Sequence, residues 1–163
     1  MTIGGKSFDV GGLTWMDHEF SSNPLGPDQV GWDWMGLTLD DGREVMVYRL
    51  RNAAGASAFA SATVVAADGG VTYIDGSKIH MTGSQPWHSA TTGADYPQEW
   101  RVEIDGMKAM EVRSVVADQE LHTPHSTDVD YYEGASDVAD ESGKKIGQGY
   151  LEMTGYSKPV GMN

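Results

Sequence analysis

Apolar and polar residues alternate in short runs along most of the chain. In "GWDWMGLTLDD", Met35, Leu37 and Leu39 share one face, and Trp32, Trp34 and Thr38 share the other. The run "REVMVYRLR" puts Val45, Val47, Arg49 and Arg51 on one face and Met46, Tyr48 and Leu50 on the other. A period of two marks β-strands. The "DDG" between these runs, Asp40 to Gly42, predicts a tight hairpin turn, because glycine tolerates positive φ. A second hairpin is predicted from "ASAFASATVV", the turn "ADGG" and the strand "VTYIDGSKIHM". Its alanine-rich arm has helical propensity, but the β-branched Thr63, Val64 and Val65 favour a strand. Trp100, Val102 and Ile104 alternate in "EWRVEID", as do Met110 and Val112 in "KAMEVRSVV". "VDYYEGASDVAD" and "IGQGYLEMTGY" form a last hairpin across "ESGKK". "GSQPWHSATTGADYP" (83–97) and "DQELHTPHSTD" read as connections, and "TIGGKSFDV" and "LTWMDHEF" as two more strands.

No long stretch repeats apolar residues at helical spacing, so the prediction is an all-β chain of roughly nine or ten strands. Hairpins joined by tight turns favour an antiparallel up-and-down β-barrel over a sandwich. A barrel of about eight or more strands can hold a small ligand. The length of 163 residues suits one domain, 1–163.

Charge and composition narrow the chemistry. There are 24 acidic residues against 11 basic ones, a formal net charge of −13. Phosphate backbones and anionic lipid surfaces would be repelled, so no nucleic-acid partner is expected. The chain has no cysteine, which removes thiolate metal sites and thiol nucleophiles. No apolar run approaches the roughly 18–20 residues of a membrane-spanning helix. "MTIGGKSFDV" lacks the basic start and apolar stretch of a signal peptide, so the sequence as written predicts a cytoplasmic protein.

"WMDHEF", then "GWDWMGLTLDDGREVMVYRLR", "YPQEWRVEI", "YYEG" and "GQGYLEMTGY" run in order from about Leu13 to Tyr156. In combination they resemble the lipocalin-like proteins grouped with carotenoid 1,2-hydratase (hydroxyneurosporene synthase) and the AttH-like proteins. The resemblance is to the second of two tandem lipocalin-like halves. It implies a lipocalin-like β-barrel of about 8–10 strands with an apolar pocket and no metal or organic cofactor. It also implies acid/base chemistry on an unsaturated small molecule: hydration of a double bond, or a related cyclisation or isomerisation. The surface of the missing half is expected to be covered by a homodimer or to be a redesigned surface. Family members often carry export signals, which "MTIGGKSFDV" does not provide.

Within that frame the candidate acids are Asp17, Glu19 and Asp33. In an extended "TWMDHEF", Trp15, Asp17 and Glu19 face one way and Met16, His18 and Phe20 the other. Asp17 and Glu19 would then lie about 6.5–7 Å apart. A carboxyl beside Trp15 in apolar surroundings has a raised pKa and suits protonation of an alkene. The structural alternative has the same carboxylates paired with Arg49 or Arg51, since buried charges need partners. Asp33 shares its face with Met35 and Leu37 and becomes a second acid if that face looks inward.

The candidate ligand-binding residues are Trp15, His18, Trp32, Trp34, Tyr48, Trp87, His88 and Tyr132. Paired indoles at Trp32 and Trp34 can line a polyene pocket and stabilise a carbocation, or simply fill a core. Tyr48 and Tyr132 offer hydroxyls that orient a ligand, or that make structural hydrogen bonds. Trp87 and His88 sit in the stretch read as a loop, where a barrel mouth would be. His122, His125 and Asp128 have ligand-like spacing, but Pro124 breaks any helix that would align them, so no metal site is predicted. The remaining alternatives are a carrier of a hydrophobic ligand with no chemistry, and an isolated structural half of a larger protein.

Overall fold

The structure is a computed structural model that describes residues 1–12, 14–16, 25–126 and 128–160. β1 (Thr2–Ile3) and β2 (Lys6–Ser7) form a small separate ribbon. Then follow β3 (Gln29–Leu39), β4 (Glu44–Asn52), β5 (Ser57–Val65) and β6 (Val71–Asp75). A 3-10 turn (Gly76–Lys78) leads into β7 (Ile79–His88), β8 (Asp95–Ile104) and β9 (Met110–Ser114). β10 (Glu120–His122), β11 (Asp130–Ala139) and β12 (Lys145–Thr154) complete the chain. Among the described residues there is no α-helix, and no helix long and apolar enough to cross a membrane.

The main sheet has ten strands, ordered β6-β5-β4-β3-β12-β11-β9-β8-β7, with β10 added on β11. All its pairings are antiparallel. The all-β prediction and the three clearest hairpins hold. At "DDG", Gly42 takes φ +86°, a conformation the turn needs and L side chains avoid.

Five expectations change. "TIGGKSFDV", read as one strand, is the two short strands β1 and β2, and "DQELHTPHSTD", read as a connection, contains β10 paired on β11. "VTYIDGSKIHM" is two strands rather than one. Asp75 accepts hydrogen bonds from Ser77 N (2.9 Å) and Ser77 Oγ (2.6 Å), and this local cap breaks the strand. The 83–97 stretch is mostly paired: β7 runs on to His88 and β8 starts at Asp95, leaving a loop at 89–94. Its strand signal is masked by Pro86 and by Gln85, which takes a positive φ of +53°. Thr14–Met16 is not a strand, and Asp17, His18, Glu19 and Phe20 lie outside the described residues.

The sheet curls around one apolar face. Met35 and Leu37 of β3, Val45 and Val47 of β4, Trp100 and Val102 of β8, Val112 of β9, Tyr132 of β11 and Leu151 and Met153 of β12 form its buried core. Every pair of sequence-neighbouring main strands from β3 to β9 is laddered except β6 and β7, which form the two edges. Side chains bridge this seam: Arg49 of β4 donates from Nη1 to the carbonyl oxygen of Met81 on β7 at 3.0 Å. The edge at β7 is blunted by Pro86, which has no N–H to offer, and is distorted at Gln85 by its positive φ.

Strand direction sorts chemistry to one rim. The starts of β3, β8 and β11 and the ends of β4, β7 and β12 lie together, as their antiparallel registers require. They bring Asp33, Arg49, Arg51, Trp87, Tyr96, Asp130 and Tyr132 to one end of the curled sheet. The other end is apolar, with Leu39, Val45, Ile104, Met110 and Val138.

Candidate ligand-binding site

The inner rim is organised by Asp33, which is 0% exposed. Arg49 Nε donates to its Oδ2 at 2.7 Å, Arg51 Nε to its Oδ1 at 3.2 Å, and the Tyr156 hydroxyl to Oδ1 at 2.9 Å. Arg51 also donates to the carbonyl of Thr154, and its guanidinium stacks on the Tyr156 ring at 4.0 Å. Arg49 lies over Trp100 at 5.1 Å. Burial, followed by the negative charge of Asp33, pushes the Tyr156 hydroxyl above the usual tyrosine range, so it stays protonated and donates. An aspartate receiving three donors is a structural hub that fixes β3, β4 and the chain after β12. The two arginines considered as partners for Asp17 and Glu19 both bind Asp33 here, and Asp17 and Glu19 lie outside the described residues. Tyr156 closes the "GQGYLEMTGY" stretch but was not among the candidate site residues, because its meeting with Asp33 spans 123 residues of sequence.

Aromatic rings pack beside this hub. Tyr96 stacks on Tyr132 (5.1 Å), Tyr156 (5.2 Å) and Trp87 (6.3 Å). Tyr132, a candidate ligand residue, donates from its hydroxyl towards Gln98 Oε1 (3.1 Å) and the carbonyl of Val116 (3.0 Å). It is fully buried. Trp87 is half-buried against it. His88 is exposed and sits 3.0 Å from Asp95, outside this cluster. Towards solvent, His122 Nδ1 lies 2.5 Å from Asp130 Oδ1, and Ser157 Oγ donates to Oδ2 at 2.5 Å. Among the described residues, no group of three or more His, Asp or Glu side chains is arranged to hold a metal ion.

Trp32, Trp34 and Tyr48 do not face this interior. Alternation that turns Met35, Leu37, Val45 and Val47 inward turns these three outward. Trp32 donates from Nε1 to Glu152 at 2.7 Å, and Tyr48 packs on Phe59 at 5.9 Å. Trp34 meets Trp15 edge-on at 5.6 Å.

That outer face holds an open groove of about 360 Å³. Its floor is the sheet at β3, β12 and β11, and one wall is formed by Gly12, Thr14 and Trp15. Register builds it in two rows. Tyr150 lies between Gly36 and Ala135, both too small to flank its ring. Beside them, Gln148 lies between Thr38 and Asp137. Gly36 leaves room for both indoles: a Cβ there would meet Trp34 Cη2 at 2.7 Å and the Trp15 ring at 2.9 Å. Burial first, then Glu133 and Glu152, raise the pKa of Tyr150, so its phenol stays neutral. Sequence reasoning reached Trp15 but missed Tyr150, Gln148 and Gly36, whose meeting depends on cross-strand register.

Fold and groove can be set beside known proteins. A family model described as AttH-like matches residues 1–156. The chain belongs to the AttH-like family. A crystal structure of a protein assigned as AttH from Nitrosomonas europaea is similar at TM-score 0.76 and 33% identity, over 83% of this chain and 42% of that one. Kievitone hydratase from Nectria haematococca is similar in fold at TM-score 0.61 and 22% identity, over 80% of this chain and 40% of its own. The chain thus spans about two-fifths of the length of these two structural neighbours. No curated protein sequence matches it.

Proposed function

We propose that the chain binds an apolar, unsaturated small molecule in the groove beside Trp15 and acts on a double bond there by acid–base chemistry without a cofactor. The curled sheet is, in this reading, a lipocalin-like barrel with its seam at β6 and β7. The carrying observation is the groove itself. It is an open, largely apolar cavity, whereas the concave side of the sheet is filled by core side chains. Trp15 walls it, and Asp17 and Glu19 follow Trp15 within four residues of sequence. Membership of a family whose fold is shared with a hydratase supports addition of water as the reaction class.

In this mechanism one carboxyl protonates the alkene and the second receives a proton from the attacking water. Indole and phenol faces steady the developing positive charge. The test is incubation of the purified chain with kievitone and with a linear carotenoid polyene in ¹⁸O-labelled water, followed by mass spectrometry. Label in the product is expected. Asp17→Asn or Glu19→Gln should lower the rate by at least about 10²-fold while the fold is retained. Unchanged rates in both folded variants would remove the acid assignment.

A second reading is a carrier that performs no chemistry. It is favoured by Asp33, the acid facing the inner rim, having its oxygens taken by Arg49, Arg51 and Tyr156. It predicts saturable binding of the same probes with no label incorporated.

A further inference from the structure

We infer that the groove selects a neutral, oxygen-bearing apolar molecule, such as a prenyl alcohol, over both a plain hydrocarbon and a carboxylate. This rests on the proposed ligand-binding role of the groove and deepens it to a substrate class.

The two rows of the groove floor differ in chemistry and run side by side. The row Gly36–Tyr150–Ala135 offers a phenol ring flanked on the Gly36 side by the Trp15 and Trp34 rings and on the other by the small Ala135. An unsaturated chain or ring can lie flat there against π faces. One strand step away, Gln148 is the direct cross-strand neighbour of Thr38 on one side and of Asp137 on the other. An amide and a hydroxyl so placed supply a donor and acceptors to one ligand oxygen. A hydrocarbon would cover these groups without replacing their hydrogen bonds to water, which opposes its binding.

The head group must also be uncharged. Asp137 takes its cation from within the protein, Lys145 Nζ at 2.5 Å. Glu133 and Glu152 stand across the sheet from each other beside Tyr150, and the chain as a whole carries −13. A carboxylate head would enter a negative field with no free cation among the groove's described lining residues.

The experiment uses three probes of matched shape: geraniol, 2,6-dimethyl-2,6-octadiene, which lacks only the hydroxyl, and geranic acid at neutral pH. Affinity is read by displacement of the neutral dye N-phenyl-1-naphthylamine. Geraniol is expected to bind on the order of tenfold more tightly than either analogue, the scale of a satisfied ligand hydrogen bond. Gln148→Leu and Thr38→Val, each confirmed folded by circular dichroism, should erase the preference by weakening alcohol binding and strengthening hydrocarbon binding. Equal binding of alcohol and hydrocarbon, tighter binding of geranic acid, or a preference that survives both variants would overturn the inference and leave the ligand-binding reading standing. If neither dye nor any probe binds, the ligand-binding reading falls and the inference falls with it.

Discussion

Tyr156 and Asp33, 123 residues apart in sequence, meet through a 2.9 Å hydrogen bond inside the rim of the sheet. The bond places the chain after β12 against the start of β3 and turns the Asp33 carboxylate into a junction for Arg49 and Arg51. Asp33→Asn keeps the shape and removes the charge, leaving two guanidiniums without their counterion. A loss of about 3–5 kcal/mol is expected, because the cost is that of uncompensated buried charge. Tyr156→Phe removes one hydroxyl and leaves the ring under Arg51, so about 1 kcal/mol is expected. Urea denaturation with matched m-values checks both, and a smaller effect for Asp33→Asn than for Tyr156→Phe would contradict the hub.

Arg49 does two jobs, pairing with Asp33 and reaching the Met81 carbonyl across the seam. Arg49→Met keeps the stem over Trp100 but cannot donate. Amide exchange should then rise in β7, which has a ladder on one side only, by more than in β11, which is laddered on both. Hydrogen exchange followed by mass spectrometry reads this directly, and uniform acceleration across the sheet would show that Arg49 has no local role at the seam.

Gly36→Ala is predicted to close the groove with modest cost to folding. The new methyl would meet the Trp34 and Trp15 rings below 3.0 Å, and ring tips can swing aside more readily than backbone. Trp15 should move, with a change in tryptophan fluorescence and loss of N-phenyl-1-naphthylamine binding. Retained dye binding would place the ligand elsewhere.

Acid stability follows from Asp130. Burial alone would raise its pKa, but hydrogen bonds from Ser157 and His122 and the charges of His122 and Lys158 outweigh it and hold the carboxyl below 3.8. A depressed folded-state pKa means the stabilisation is complete above the ordinary carboxylate value and is lost as pH falls through the lower folded value. Asp130→Asn should therefore destabilise the protein at neutral pH and flatten its stability profile below about pH 4. Thermal unfolding from pH 7 to pH 2 tests this. A parallel downward shift at every pH would separate Asp130 from the acid transition.

Much of the fold was legible because strand alternation is a local signal. Met35 and Leu37 marked one shared face of their strand, Val45 and Val47 one face of the next, and Gly42 its turn. The sites were less legible. Alternation put Trp32, Trp34 and Tyr48 on shared faces but could not say which face was concave, and all three turn outward. Asp33 showed its inward tendency through Met35 and Leu37, and Arg49 and Arg51 showed theirs through Val45 and Val47. That these charges would choose one another needed the register of β3 on β4. Pro86 hid a real strand, because proline at an unpaired edge gives up no ladder bond. Tyr150 and Gln148 became a site only through their neighbours Gly36 and Thr38 on another strand, a relation no local pattern encodes.

The unpaired seam between β6 and β7 also has a kinetic meaning. It divides the main sheet into two meanders, β3 to β6 and β7 to β12, each built from contacts between strands close in sequence. Such local pairings form early, since little loop entropy opposes them. The ladder of β12 on β3 joins residues more than a hundred positions apart, Gly147 with Leu39 and Met153 with Asp33. That zipper is therefore the slow step of folding, and the ion pairs of Asp33 lie at its end, where they act as the clasp that makes closure hard to reverse.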